Sequence, residues 1–254
     1  MQTHIHALAL SCLISLAPLF HGCALFKPQD ETANMNAKQI YDLAKENLEA
    51  NEFEAAIGYF ETLESRYPFD RYALQAQLDI AYAYYQDDEY DAALSAADRF
   101  IKLHPRHTHV AYAYYLKGLT NYNRGQGLFE KLMPRNFSKI GQGALKDAYH
   151  DFALLVQKYP NSRYTHDARL RMAYLNDKMA EYELAIAHYY YQHGAWIATI
   201  NRIKYLLENH ATTPSTPGAL NLMVRAYEKM GLETLAADTQ RILKLNYPDH
   251  KLAP

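Results

Sequence analysis

Two stretches of this chain end in the same way. Reading back from Pro68 gives Phe53, Ala56, Ile57, Phe60 and Leu63; reading back from Pro105 gives Tyr90, Ala93, Leu94, Ala97 and Phe100 at the same offsets. The two prolines are 37 residues apart (105 − 68). Large and small apolar residues at three- and four-residue intervals mark one face of a helix, and a proline cannot continue it. A period in the thirties with small residues at fixed places is the signature of stacked helical hairpins, each able to bury its apolar face only against its neighbours.

Both copies resemble the tetratricopeptide repeat (TPR). In the first, Ile40, Leu43, Ala44 and Leu48 share a face, Asn51 marks a break, and Ala56, Phe60 and Leu63 pack from the second helix. In the next, Ile80, Ala81 and Tyr84 precede Tyr90, Ala93 and Ala97. The third hairpin needs an insertion: Gly118 holds the small position of its first helix, and Ala148, Phe152 and Leu155 lead to Pro160 in its second. The extra residues fall in 124–144, to which no role is assigned. Within 167–209 two registers are open, one pairing Ala173 with Ala185, the other pairing a helix ending near Gln192 with Trp196–Asn209 across Gly194. A last hairpin, from Gly218 to about Asn246, carries Tyr227, Gly231, Ala236 and Leu243 and closes at Pro248. The expected fold is an all-α TPR solenoid of about five hairpins over residues 37–250, with N-terminal repeats at 37–160 and C-terminal repeats at 161–250.

The N-terminus has a different character. Ala7 to Phe20 is an apolar run of 14 residues, the length of the central region of a secretory signal and short for a bilayer span. It runs into Phe20-His21-Gly22-Cys23, which resembles the lipobox of bacterial lipoproteins, with Phe20 and His21 departing from the usual residues. Cys12 lies inside the run, so cleavage leaves Cys23 as the only cysteine of an exported chain. The resemblance implies a signal at 1–22, N-acyl and S-diacylglycerol groups on Cys23, and a tether at 23–36. Ala24 after the cysteine, rather than Asp, implies delivery to the outer membrane. The alternative is an ordinary cleavable signal followed by a free thiol.

Nothing announces an enzyme. No HExxH, CxxC, G-x-S-x-G or phosphate loop occurs. His104, His107 and His109 crowd a stretch between repeats without a carboxylate at ligand spacing, so a solvated loop is the expected reading and no metal or other cofactor is expected. Lys and Arg total 26 against 28 Asp and Glu, a net charge of −2, which argues against nucleic acid and a broad contact with anionic lipid. The chain holds 23 tyrosines and one tryptophan, a usage suited to helix interfaces and peptide grooves, where a ring has one apolar side and one wet tip. Tyr85 and Tyr115 sit beside packing residues of the first helices and are the expected groove residues.

Several segments together resemble the BamD (ComL/YfiO-like) family of outer-membrane lipoproteins. They are Arg66-Tyr67-Pro68-Phe69 with Tyr72, Ala83-Tyr84-Tyr85, the stretch Asp98 to Pro105, Gly118-Leu119-Thr120-Asn121, Tyr159 to Tyr164, and Gly194-Ala195-Trp196-Ile197-Ala198 followed by Asn201-Arg202. The resemblance implies a non-catalytic scaffold of the β-barrel assembly (BAM) machinery, lipid-anchored in a Gram-negative outer membrane and facing the periplasm. Its implied partners are a POTRA domain of BamA, other BAM lipoproteins and unfolded barrel precursors, with no nucleic acid and with the membrane touched by the lipid anchor alone. It carries substrate contact to Tyr67 and Tyr190, with Phe69, Tyr72 and Tyr85 as further candidates. It carries BamA binding to Arg202, flanked by Trp196 and Asn201. The competing expectation is a pilotin-like or cell-envelope TPR lipoprotein serving another outer-membrane or peptidoglycan assembly.

Overall fold

The computed structural model describes residues 30–125 and 142–250. The expected signal, Cys23 and most of the insertion lie outside them. Among the described residues there are ten helices and no strand: α1 (Ala37–Glu49), α2 (Phe53–Arg66), α3 (Arg71–Gln86), α4 (Tyr90–Leu103), α5 (Val110–Gly125), α6 (Gln142–Lys158), α7 (Thr165–Gln192), α8 (Trp196–Asn209), α9 (Thr216–Lys229) and α10 (Glu233–Asn246). Each odd-numbered helix packs against the even-numbered one that follows, giving five hairpins. Successive first helices also pack on one another, α1 on α3, α3 on α5 and α7 on α9.

Local chemistry sets the ends. Asn36 opens α1 with a capping box: its side chain accepts from the Gln39 N–H at 3.0 Å while the Gln39 side chain accepts from its own N–H at 2.9 Å. Asp70 opens α3 by accepting from the Tyr72 N–H at 2.8 Å. Helices α2, α4 and α10 stop at Tyr67, His104 and Tyr247, each the residue before a proline, where steric conflict with the proline ring disfavours helical backbone. The turns inside the hairpins use the left-handed region instead: Asn51 (φ 63), Asp88 (φ 60), Gly194 (φ 73) and Gly231 (φ 71).

These two kinds of connection separate in space. In the first three hairpins the internal turns line one edge and the joints at Pro68, Pro105 and Pro160 line the other, whereas the joint near Pro214 lies against the middle of the long α7, where the His210 ring meets Asn176 at 2.7 Å. The core runs between them, with Phe60, Phe100 and Phe152 fully buried among alanines.

The fourth hairpin settles the open register. α7 is a single 28-residue helix whose early turns pack on α6 and whose later turns pair with α8 across Gly194. Ala173 and Ala185 are exposed, whereas Ala180, Ala187, Ile200, Ile203 and Leu206 are buried. Hence the pairing with Trp196–Asn209 is the one formed.

Gly118 shows why a small residue is needed. A Cβ placed there would lie 2.5 Å from two ring carbons of Phe152, a residue with no exposed surface to retreat into. Overpacking of this kind costs about 1–3 kcal/mol. Gly58, in α2, faces open space, and alanine there relieves the helix penalty of glycine by up to about 1 kcal/mol. Thermal unfolding is therefore expected to shift in opposite directions, down for Gly118→Ala and up for Gly58→Ala; a matching shift in both would contradict the close contact.

Candidate functional site

The residues singled out from the sequence fall into two groups separated by the third hairpin. The first is the joint between α2 and α3. Here the Tyr67 hydroxyl donates to the Met35 carbonyl at 2.8 Å. Its neighbour Arg66 donates through Nη2 to Asp30 Oδ2 at 2.8 Å and through Nη1 to the Thr32 carbonyl. Asp30 in turn accepts from the Thr32 hydroxyl at 2.6 Å and backbone N–H at 3.0 Å, and these bonds, with Arg66 beside it, hold its carboxyl below the usual range. The two residues thus fasten segment 30–36 along the end of α2.

Tyr72 is also engaged, its ring 5.2 Å from that of Tyr41 and the Arg71 guanidinium 4.8 Å over its face. Phe69 alone of the joint is free, with relative exposure of 101 %. Tyr85 and Tyr115, expected in the groove, are half-buried ties between hairpins. The Tyr85 hydroxyl accepts from Asn123 Nδ2 at 2.8 Å, and the Tyr115 hydroxyl donates to Asp167 Oδ2 at 2.6 Å with its ring stacked on Tyr164. Burial, then the Asp167 hydrogen bond, pushes the Tyr115 phenol up to about 12.

The second group sits in the fourth hairpin. Arg202, on α8, donates through Nη1 to Glu183 Oε2 of α7 at 2.9 Å, and the Tyr190 phenol lies close enough to act on its charge. Glu183 is only 2 % exposed while the arginine side chain is 36 % exposed, so the carboxylate is inside and the guanidinium reaches the surface. Burial pulls the guanidinium pKa down, and the hydrogen bond and charge of Glu183 outweigh it, leaving Arg202 above its ordinary value. A guanidinium has five donors in a planar fork, so Arg202 can serve Glu183 and still offer N–H groups to an external carboxylate. Trp196 meets Tyr191 edge to face at 4.9 Å, with Arg225 5.1 Å over the Tyr191 ring, and Asn201 is exposed on α8. Tyr190 and Arg202, assigned to different partners from the sequence, are therefore contiguous, whereas Tyr67 and Tyr190 are not. Sequence reasoning missed Glu183: nothing in Glu181-Tyr182-Glu183 tells which acid turns inward until the long α7 helix fixes its face.

No group of three or more His, Cys, Asp or Glu is placed to hold a metal ion, and no helix is long and apolar enough to cross a membrane, among the described residues. The molecule is of the TPR solenoid class, a stack of five helical hairpins. The chain belongs to the YfiO family of outer membrane lipoproteins, whose pattern it matches over residues 33–243. Curated relatives agree over most of the chain. "Outer membrane protein assembly factor BamD" of Neisseria meningitidis serogroup A is 39% identical over 92% of this chain and 90% of its own. The proteins of the same name from Xylella fastidiosa strain Temecula1 (34%, 97% of this chain and 83% of that one) and Vibrio cholerae serotype O1 (35%, 93% and 97%) are similar to a comparable degree. A solved TPR protein of Thermus thermophilus is 15% identical over 84% of this chain and 93% of that chain, with a TM-score of 0.40, too distant to support a conclusion.

The ion pair fixes what a charge reversal does. Arg202→Glu puts a second carboxylate against a buried one. Breaking a buried pair from one side costs about 3–5 kcal/mol, and solvent access at the arginine end lowers that to roughly 2 kcal/mol here. The expected outcome is a Tm lower by roughly 4–8 °C, with Arg202→Gln, which keeps a donor for Glu183, losing less. Equal Tm values for Arg202→Glu and the native chain would contradict the pairing.

Proposed function

We propose that this chain is the TPR scaffold lipoprotein of a BAM complex, needed for assembly and insertion of β-barrel proteins into the outer membrane. The observation that carries the reading is the family match over 33–243, which spans four hairpins and most of the fifth and includes the fourth-hairpin group. Cys23 carries the lipid groups, and the solenoid faces the periplasm. No catalytic step or cofactor is invoked.

In this reading the C-terminal repeats hold a POTRA domain of BamA. Arg202 supplies the spare donors of a guanidinium already oriented by Glu183, so less freedom is lost when a partner carboxylate arrives. Trp196 and Asn201 flank it. The C-terminal strand of an unfolded barrel precursor passes along Tyr190, whose half-buried ring continues outward into the exposed Tyr189 5.9 Å away. Tyr67, Tyr72 and Tyr85, in the first two hairpins and away from that surface, have their hydroxyls or faces taken up within the fold. Other BAM lipoproteins complete the set of partners.

The test is purification from solubilised outer membrane with identification of what accompanies the protein. BamA is expected, and a secretin or a peptidoglycan enzyme in its place would overturn the reading. Arg202→Gln is expected to lower BamA recovery several-fold with helix content unchanged by circular dichroism; undiminished recovery removes Arg202 from the interface.

A further inference from the structure

The net charge of −2 conceals a separation that the hairpin topology creates. In the first two hairpins the edge of internal turns is acidic: Glu49, Glu52 and Glu54 in one, Asp87, Asp88, Glu89 and Asp91 in the next, with no cation in 49–54 or 87–91. The joint edge has the opposite sign. Across 67–72, 102–109 and 158–164 the cations are Arg71, Lys102, Arg106, Lys158 and Arg163, and the one acid, Asp70, caps α3. Of the fastened N-terminal segment at this joint, Asp30 is paired with Arg66 and Glu31 is exposed, so the cations still predominate. Lys102 and Arg106 are exposed and make no ion pair among the described residues. Arg71 and Arg163 are exposed too, and each lies over the ring of the tyrosine that follows and donates to its hydroxyl, which orients the cation without neutralising it.

Two apolar side chains stand among these cations. Phe69 is wholly exposed at the proline corner and Leu103 is 60 % exposed at the next joint, both on the same edge. Aromatic and aliphatic tips interleaved with Lys and Arg are the composition of a surface that settles into the headgroup region of an anionic bilayer. The segment leading to the N-terminus is fastened at the same place, because Arg66 and Tyr67 bind Asp30, Thr32 and Met35 at the end of α2.

We propose that the joint edge of the first three hairpins, with Phe69 and Leu103 at its crest, is a membrane-contacting face that lies on anionic phospholipid. The contact is therefore wider than a lipid anchor alone. It rests on the reading that Cys23 is lipidated in one respect only, the distance to the bilayer: seven residues from Cys23 to Asp30 reach at most about 25 Å. Arg66 and Tyr67 then act as a clamp that makes the anchor pull on this edge, turning the acidic edge away from the anionic surface.

The intact lipoprotein in vesicles provides the test, because its one tryptophan, Trp196, begins α8 beside the internal turn of the fourth hairpin and so reports on the opposite edge. Phe69→Trp adds a reporter at the crest, on a side chain with no packing to disturb. In vesicles containing phosphatidylglycerol and brominated phospholipid, the added tryptophan is expected to be quenched beyond the native signal. Replacing Arg71, Lys102 and Arg106 together by Gln, or raising the salt, is expected to return it toward that baseline. The mass of the N-terminal peptide reports the anchor separately. An unlipidated protein whose added tryptophan is still quenched keeps this inference and loses the anchor. An unquenched tryptophan overturns the inference whether or not lipid is present, and so does one that ignores vesicles but responds to the C-terminal peptide of a barrel precursor.

Discussion

A helix pair can approach only as closely as the bulkiest residue at its crossing allows, and the hairpins of this chain cross at alanine or glycine. Ala44, Ala56, Ala93, Ala97, Ala148, Ala180, Ala187, Ala219 and Ala226 have no exposed surface, and Gly118 leaves no room for a methyl group beside Phe152. Close backbones bring the large residues on either side into full contact, which is why Phe60, Phe100, Phe152, Leu206 and Leu243 are almost wholly buried in a stack only two helices thick. A solenoid has no central core to fall back on, so each crossing stabilises its own hairpin and its neighbour's. The small residues at fixed offsets therefore carry the architecture as much as the large ones do.

Tyrosine does the remaining joining. The Tyr41 hydroxyl donates to Asp79 at 2.8 Å, the Tyr85 hydroxyl accepts from Asn123, and the Tyr115 hydroxyl donates to Asp167, so each of the first three hairpins is tied to the next by one phenol between first helices. A hydrogen bond of this kind contributes about 0.5–1.5 kcal/mol net, and more where the partner is charged. Burial, with Asp79 or Asp167 nearby, pushes the phenols of Tyr41 and Tyr115 upward, which keeps them protonated as donors. Tyr85 and Tyr115, expected in a binding groove from their positions, are in this way spent on holding the stack in register.

The five hairpins were legible because two signals agree: apolar periodicity within a helix and proline at the joint. The 28-residue α7 was not, since it serves two packing partners and its apolar face shifts along its length, leaving Ala173 and Ala180 equivalent in pattern until α6 and α8 are in place. The joint at Arg66-Tyr67 was legible as punctuation, yet its bonds to Asp30, Thr32 and Met35 depend on a segment with no periodicity to read. Glu183 was hidden for a related reason. A buried acid announces itself only through its partner, and Arg202 lies on the next helix. Charge separation between the two edges escaped composition because opposite signs cancel in a sum, and only the folded alternation of turn and joint pulls them apart.

That alternation also explains how one joint can serve two ends. Tyr67 turns inward, its ring against the first core and its hydroxyl on Met35, while Phe69, two residues later and past the proline, has nothing beneath it. A proline corner makes the difference: it stops α2 at Tyr67, and Asp70 starts α3 at once, so residues 68 and 69 span the gap with no helical neighbour to pack on. An aromatic ring held there gains nothing from the fold, and leaving it exposed forgoes about 1.5–3 kcal/mol of burial. Whatever Phe69 contributes must come from a surface outside the chain, and the cations of the same edge define the sign of that surface.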